Sequence, residues 1–371
     1  MAEQTAYKPG LEGVIATETK LSYLDVDAEE IVFRGYELIE LSRKKSYIDV
    51  VHLLLHGELP EESERLALEK ELKQEYSLPD EFFTLIRKLP KKTHPMDALR
   101  TGISVLAGYE KNLKERDAEQ ICRTAIKLLA KIPNIVANSY HVLHDEAIVV
   151  PKDDLPYSSN FLYMITGKEP TPAEAAFFDQ SLTVYSEHEM PNSTFTARVI
   201  ASTNSDLYGA LTGAVASLKG NLHGGANEAV MYMLLEGKTT DGFRRLLYEK
   251  LRSKEKIMGF GHRVYMKKMD PRAVLMKEAL RELAENKKRE DLFEMCEAGE
   301  QLMKEEKGLY ANLDYYAAPV YYLLGIPIDL YTPVFFSART LGLCAHVSEQ
   351  YANNKLFRPR VLYTGPRGLH P

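Results

Sequence analysis

The chain has 371 residues, 45% hydrophobic and 27% charged, with a formal net charge of −6 and a pI of about 6.0. That is ordinary globular composition, long enough for a large core and for two domains. The acidic balance argues against a protein that coats nucleic acid. No apolar run approaches the roughly 18 residues of a membrane span, and the polar start has no basic-then-apolar targeting pattern. Cys122, Cys296 and Cys344 are scattered, with no C-x-x-C pair, which points to reduced thiols in a cytoplasmic setting.

In chain order, residues 14–16 and 31–34, on either side of Asp25 and Asp27, are predicted to form a small hairpin. Ser46 and Asp49 have the spacing of a capping box and open a helix through Val50, Val51, Leu53, Leu54 and Leu55. Gly57 supplies its left-handed stop, and Pro60 forbids continuation. Thr171, Pro172 and Glu174 predict another helix start: a cap, a first-position proline and an acid near the positive dipole end. Over residues 205–219, Leu207, Ala210, Leu211, Ala214, Val215 and Leu218 recur at helical spacing. Gly209, Gly213 and Ser217 mark a second face that admits a close neighbour, from this chain or from a second copy. The charge-dense stretches 281–291 and 304–307 read as solvated helical faces. There is no internal repeat, and the pattern predicts a mainly α-helical protein.

Several chemistries lack their motif. There is no G-x-x-x-x-G-K-[ST] and no G-x-S-x-G. His188-Glu189 is not followed by the second histidine of a zinc hydrolase. Gly259-Phe260-Gly261 lacks the third glycine of a dinucleotide fingerprint.

Four polar segments call for a reason. His223 is flanked by Asn221-Leu222 and Gly224-Gly225, where backbone can approach a ligand. The helix predicted to follow would keep its imidazole neutral and a hydrogen-bond donor. His262 leaves a second glycine-containing loop. Around it lie Arg252, Lys254, Lys256, Arg263, Lys267, Lys268 and Arg272 against only Glu255 and Asp270, a local excess suited to the phosphates of a nucleotide or coenzyme A. Asp270-Pro271 is a helix start, with Arg272 in its first turn against the dipole. Asp314, in Asn312-Leu-Asp-Tyr-Tyr, is a candidate base with a raised pKa. Arg339, Arg358 and Arg360 are candidate carboxylate holders. Taken singly, each segment is served as well by a structural reading: a glycine turn, a solvated basic face, a salt bridge.

The order of the segments decides between them. His188-Glu189, Leu222-His223-Gly224-Gly225-Ala226, Gly259-Phe260-Gly261-His262-Arg263-Val264-Tyr265, Asp270-Pro271-Arg272, Asn312-Leu313-Asp314, Ala338-Arg339-Thr340 with Ala345-His346, and Arg358-Pro359 together closely resemble the citrate synthase family. The likeness runs over nearly the whole chain. It implies a large helical domain, residues 1–219 with 319–371, and a smaller one inserted at 220–318.

The resemblance also implies condensation of an acyl-CoA with oxaloacetate. His223, Asp314 and His262 are then catalytic: His223 as donor to the thioester carbonyl, Asp314 as base, His262 as the residue assisting attack on the ketone. His188, Arg272 and Arg339 would hold oxaloacetate, with Arg358 reaching the site from the partner subunit of a homodimer. Lys256, Ile257, Met258, Gly259, Phe260 and Gly261 would form the CoA-contacting loop. No metal or prosthetic group is expected, since the CoA thioester is a substrate, and no nucleic-acid or membrane partner is expected. The chain has no N-terminal extension of the kind found in some regulated hexameric relatives, which favours a simple dimer.

Residues 7–16 and the Asp314-Tyr-Tyr-Ala-Ala segment look more like the short Gram-positive-type methylcitrate enzymes, giving a lead toward propionyl-CoA with residual acetyl-CoA use. The chain departs from the family at Leu343, where tryptophan is usual, and in Phe335-Phe336-Ser337, so the size of the acyl pocket stays open. Strict acetyl-CoA use and a non-catalytic CoA-binding protein are the alternatives.

Overall fold

The computed structural model describes residues 7–25, 28, 30–261 and 268–370. Its only sheet among these residues is a small antiparallel one in the order β1 (Ser22–Asp25), β2 (Glu30–Phe33), β3 (Tyr36–Glu37). β1 pairs with β2 in the register Ser22↔Phe33 to Asp25↔Glu30. The predicted second strand is therefore present, but its partner is not 14–16. Val14 and Ile15 are exposed, whereas Leu21, Ile31 and Phe33 are buried and anchor the hairpin. The Ala28 N–H donates to Asp25 Oδ1 at 2.8 Å, so Asp25 fastens the turn.

The rest is helical. In the first half come α1 (Leu38–Lys44), α2 (Tyr47–His56), α3 (Glu62–Gln74), α4 (Asp80–Ile86), α5 (Pro95–Leu106), α6 (Ala118–Leu143), α7 (Tyr157–Thr166) and α8 (Pro172–Ser186). Then follow α9 (Asn192–Ala201), α10 (Leu207–Leu218), α11 (Ala226–Gly237), α12 (Thr240–Ser253), α13 (Pro271–Lys287), α14 (Glu290–Lys307), α15 (Leu313–Leu323) and α16 (Tyr331–Ala352).

The predicted starts and stops hold. Ser46 and Asp49 make a reciprocal capping box, and Gly57 closes α2 in the left-handed conformation at φ 100°. Thr171 and Glu174 do the same for α8, with Pro172 at the first position. The small-residue face of α10 is used within the chain. A Cβ on Gly213 would come 2.2 Å from Ile200 Cδ1 of α9, and Ser217 donates to Asn192 Oδ1 at 2.6 Å.

At the centre lies α16, buried on all sides from Tyr331 to Val347. A helix apolar on every face must be enclosed, and α16 packs against α2, α6, α8, α9 and α10. α11 to α14 pack among themselves and around α15: α13 and α11 lie on α15, and α12 lies on α14. α11 and α13 also touch α16 and α8, respectively. This arrangement brings four helix ends and the middle of α16 to one place.

Candidate active site

A cleft of about 170 Å³ is lined by Tyr185, His188, Pro191, His223, Arg272, Asn312, Leu313, Asp314, Phe335 and Arg339. Of the residues singled out in the sequence, His188, His223, Arg272, Asp314 and Arg339 thus share one cavity, although up to 151 positions separate them. His262 lies outside the described residues. Arg358 is exposed on the segment after α16 and does not line the cleft of its own chain.

Asp314 stands in the first turn of α15. Its N–H donates to the Asn312 side chain at 3.1 Å, which caps the helix. Asn312 in turn donates through Nδ2 to the Gly261 carbonyl at 3.1 Å. The Tyr185 hydroxyl, at the end of α8, donates to Asp314 Oδ1 at 2.7 Å. Burial pushes the Asp314 carboxyl above its usual range, while the Tyr185 hydrogen bond and the charges of Arg272 and Arg339 pull it back only in part. That is the environment of a carboxylate suited to proton abstraction. Tyr185 itself is driven far above the ordinary phenol range, by burial first and then by Asp314, so it remains a donor.

His223 lies between α10 and α11. The Ser193 N–H donates to His223 Nε2 at 3.2 Å, with Ser193 Oγ 2.9 Å away. An amide only donates, so Nε2 carries the lone pair and Nδ1 carries the proton. Burial, then the positive charge of Arg339, lowers the imidazole to about 4. The predicted neutral ring is present, held so by burial and Arg339 rather than by α11, the helix that follows His223; the N–H that sets its tautomer belongs to the first turn of α9.

The two arginines are held differently. Arg272 donates from Nε to Asp270 Oδ1 at 3.0 Å and from Nη2 to Asp270 Oδ2 at 2.8 Å. Asp270 also accepts from the Arg272 N–H at 3.0 Å and the Leu313 N–H at 3.2 Å. One carboxylate thus caps α13, offsets the cost of an arginine in its first turn and ties α13 to the start of α15. Arg339, in the middle of α16, donates from Nε to the Tyr185 carbonyl at 2.7 Å. Its guanidinium lies over the Phe335 ring at 4.9 Å. Burial draws it down to about 10, so it stays cationic at neutral pH.

The loop 256–261 runs from the exposed Lys256 to the site. Ile257 is buried, and the Phe260 ring packs on Tyr315 at 4.4 Å between centroids. Gly261 N–H donates to the Tyr310 carbonyl at 2.8 Å, and Asn312 N–H donates to the Gly259 carbonyl at 2.9 Å. The loop is therefore bonded to the segment that launches α15 and carries Asp314. Leu343, singled out as a departure, is wholly buried in α16 and does not line the cleft, whereas Phe335 does.

Tyr185 and the Ser193 amide were not anticipated from sequence. A tyrosine three residues before His188 was a signal available for the first. A backbone amide leaves no signature of its own.

A family model described as citrate synthase, C-terminal domain, matches residues 10–360. A citrate synthase of Heyndrickxia coagulans is 65% identical over 369 residues, covering 100% of this chain and 99% of that protein. A citrate/2-methylcitrate synthase of Bacillus subtilis strain 168 is 64% identical, with 99% of each chain covered. Among solved structures, the ternary complex of carboxymethyl coenzyme A and oxaloacetate with the citrate synthase of Thermoplasma acidophilum superimposes with a TM-score of 0.91 at 30% identity, covering 98% of this chain and 97% of that one. The meeting of His188, His223, Arg272, Asp314 and Arg339 in one cleft and these full-length matches agree, and the chain belongs to the citrate synthase family.

Proposed function

We propose that this chain is an acyltransferase that condenses a short acyl-CoA with oxaloacetate and water, giving 2-methylcitrate from propionyl-CoA or citrate from acetyl-CoA and releasing CoA. The observation that carries the reading is the meeting of a buried, raised-pKa Asp314 with a neutral His223 and two arginines in one cleft.

Asp314 takes the α-proton of the thioester. The developing enolate oxygen accepts a hydrogen bond from His223 Nδ1–H, a preorganised donor of the kind worth about 3 kcal/mol in oxyanion sites. Oxaloacetate is a dicarboxylate with a ketone. Arg272 and Arg339 suit its carboxylates, and His188 suits its polar end. Fixing the second reactant is the positioning contribution to rate. The enolate carbon attacks the ketone carbon, and the ketone oxygen takes a proton with His262 assisting. Water then cleaves the thioester of the product, giving a carboxylate and the CoA thiol.

The residue roles, the CoA contacts of 256–261 and the division into 1–219 with 319–371 against 220–318 are parts of this reading. The boundary at 318 would fall beside Pro319, inside α15. A homodimer in which Arg358 of one chain reaches the cleft of the other suits the exposed position of Arg358 and the exposed apolar Leu356, Val361 and Leu362 beside it. A cytoplasmic location suits the three free cysteines; no helix among the described residues is long and apolar enough to cross a membrane.

Pro191, Leu313 and Phe335 give the cleft its apolar wall. One extra methylene is worth only about 1–3 kcal/mol in such a wall, which favours use of both acyl groups with propionyl-CoA ahead. The test is thiol release from each acyl-CoA with oxaloacetate, read as kcat/KM. Release from neither removes the enzymatic reading, and a clear acetyl-CoA preference reverses the substrate order.

A further inference from the structure

Behind the cleft runs a buried polar seam that the proposed chemistry does not use. Glu187, the residue before His188, is completely buried. Its Oε1 accepts from Ser22 Oγ at 2.9 Å and from His346 Nε2 at 3.0 Å. The tautomer of His346 follows from its other side. Arg198 Nη1, which can only donate, lies 2.8 Å from His346 Nδ1. Nδ1 therefore holds the lone pair, Nε2 holds the proton, and the imidazole is neutral. Arg198, itself buried, also donates to Gln350 Oε1 at 3.1 Å, to Glu349 Oε2 at 3.3 Å and to Thr17 Oγ1 at 3.1 Å. Thr19 Oγ1 and the Lys20 N–H each donate to the Glu349 carboxylate at 2.8 Å. The segment 17–22 is thus sewn across the back of α16 and the start of the 187–189 segment.

Ser22 grips both flanks of His188. Its hydroxyl donates to Glu187 and accepts from the Glu189 N–H at 3.1 Å. Glu189 has φ +57°, a left-handed conformation that a residue with a side chain adopts only where its surroundings impose it. The second oxygen of Glu187 has no hydrogen-bond partner among the described residues. It packs on α16 at Gly342, where a Cβ would come within 2.2 Å. Gly342 lies one turn beyond Arg339 and one turn before His346, so the glycine admits the carboxylate between the arginine of the cleft and the histidine of the seam. A fully buried carboxylate with an unsatisfied oxygen is a poor way to gain stability, and here it adjoins a strained residue and a cleft histidine.

We propose that Ser22 and Glu187 are positioning residues for oxaloacetate: the Ser22 hydroxyl joins the Glu187 carboxylate to the Glu189 N–H, one on each side of His188, and the Glu187–His346–Arg198 relay locks that clasp to the helix carrying Arg339. The N-terminal hairpin thereby controls affinity for the ketodicarboxylate without touching it. This inference rests on the assignment of His188 and Arg339 to oxaloacetate.

The test is calorimetric titration of the full chain with oxaloacetate alone, on the wild type, Ser22→Ala and Ser22→Thr, beside the thermal midpoint and the KM for acyl-CoA. A small displacement of a binding group costs on the order of tenfold to a hundredfold. Ser22→Ala is expected to bind oxaloacetate about tenfold more weakly, with the acyl-CoA KM within about twofold of wild type, and Ser22→Thr, which keeps the hydroxyl, to restore binding. Unchanged affinity in Ser22→Ala, whatever its thermal midpoint, overturns the positioning role. Equal weakening in Ser22→Thr, or an equal rise in the acyl-CoA KM, does so as well. A wild type that binds no oxaloacetate removes the underlying assignment and this inference with it; a wild type that binds normally beside an unaltered Ser22→Ala removes the inference alone.

Discussion

The Tyr185 hydroxyl donates to Asp314 Oδ1 across 2.7 Å, joining the end of α8 to the first turn of α15. The bond opposes the effect of burial on Asp314. It therefore tunes how much of the base is ionised at a given pH, and at the same time sets which oxygen remains to meet the substrate.

Tyr185→Phe deletes that donor and leaves the rest of the ring. With the opposing hydrogen bond gone, burial acts on Asp314 with less resistance, and its pKa rises further. The base works only when ionised, so the acidic limb of the kcat/KM profile is expected to move to higher pH. Above that limb the rate should fall by no more than about 10- to 100-fold, because one hydrogen bond to a charged group, about 1.5–3 kcal/mol, is at stake. An acidic limb at the wild-type position would remove Tyr185 from the tuning of Asp314.

Asp314→Asn separates function from stability. Condensation should fall by about 10²–10⁴-fold, the usual contribution of a positioned base, while oxaloacetate binding measured by calorimetry is largely kept. The stability effect runs the other way. The folded-state pKa of Asp314 lies above its unfolded value, so the ionised carboxylate disfavours the fold above the folded pKa, and this cost vanishes below the unfolded pKa. The variant lacks the cost at every pH. Its thermal midpoint should exceed that of wild type at pH 7, and the gap should close as pH falls through the folded pKa. Wild-type turnover would remove Asp314 as the base.

Sequence and structure agree where chemistry is carried by a local signature. The boxes at Ser46 and Thr171 and the cap at Asp270 are readable because donor and acceptor lie within three residues of each other. His223 and Asp314 are readable because their flanking residues are unusual. The hairpin partner differs because 14–16 has strand-like composition yet its Val14 and Ile15 stay exposed, whereas Ser22–Asp25 pairs with a strand whose Ile31 and Phe33 are buried. The Ser193 amide, the Asp270 grip on Leu313 and the Ser22 clasp depend on how distant helices pack. Ser22 lies 165 positions from Glu187, and no spacing rule links them.

The tautomer of His223 is open to direct measurement. Because Nε2 accepts from the Ser193 amide and the ring titrates near 4, imidazole ¹⁵N shifts should report neutral, Nδ1-protonated His223 at pH 6. A solvent-exposed histidine would be largely protonated at that pH, with an ordinary pKa of about 6.5. An imidazolium signal at pH 6 would contradict the donor role, since the ring would then carry the wrong charge for the cleft beside Arg339.

Gly259→Ala probes the coupling between the loop 256–261 and the base. Gly259 has φ +89°, and a Cβ there would lie 2.7 Å from Val230 Cγ2 and 2.9 Å from Tyr315 Cδ2. Overpacking of this kind costs about 1–3 kcal/mol, and a left-handed non-glycine residue adds about 1–2 kcal/mol. The loop relieves both by shifting. Its carbonyl accepts from the Asn312 N–H, and Asn312 caps the helix that begins with Leu313 and Asp314, so a shift of the loop drags the base with it. The acyl-CoA KM should rise about tenfold and kcat should fall together with it, as expected when a small misplacement reaches the reacting groups. Oxaloacetate affinity should fall by less than the acyl-CoA KM rises, because Arg272 is linked to the shifting segment through Asp270 and Leu313, whereas His188 and Arg339 lie on the segment after α8 and on α16. A rise in KM with kcat unchanged would mean that the loop binds the thioester but does not hold Asp314 in register.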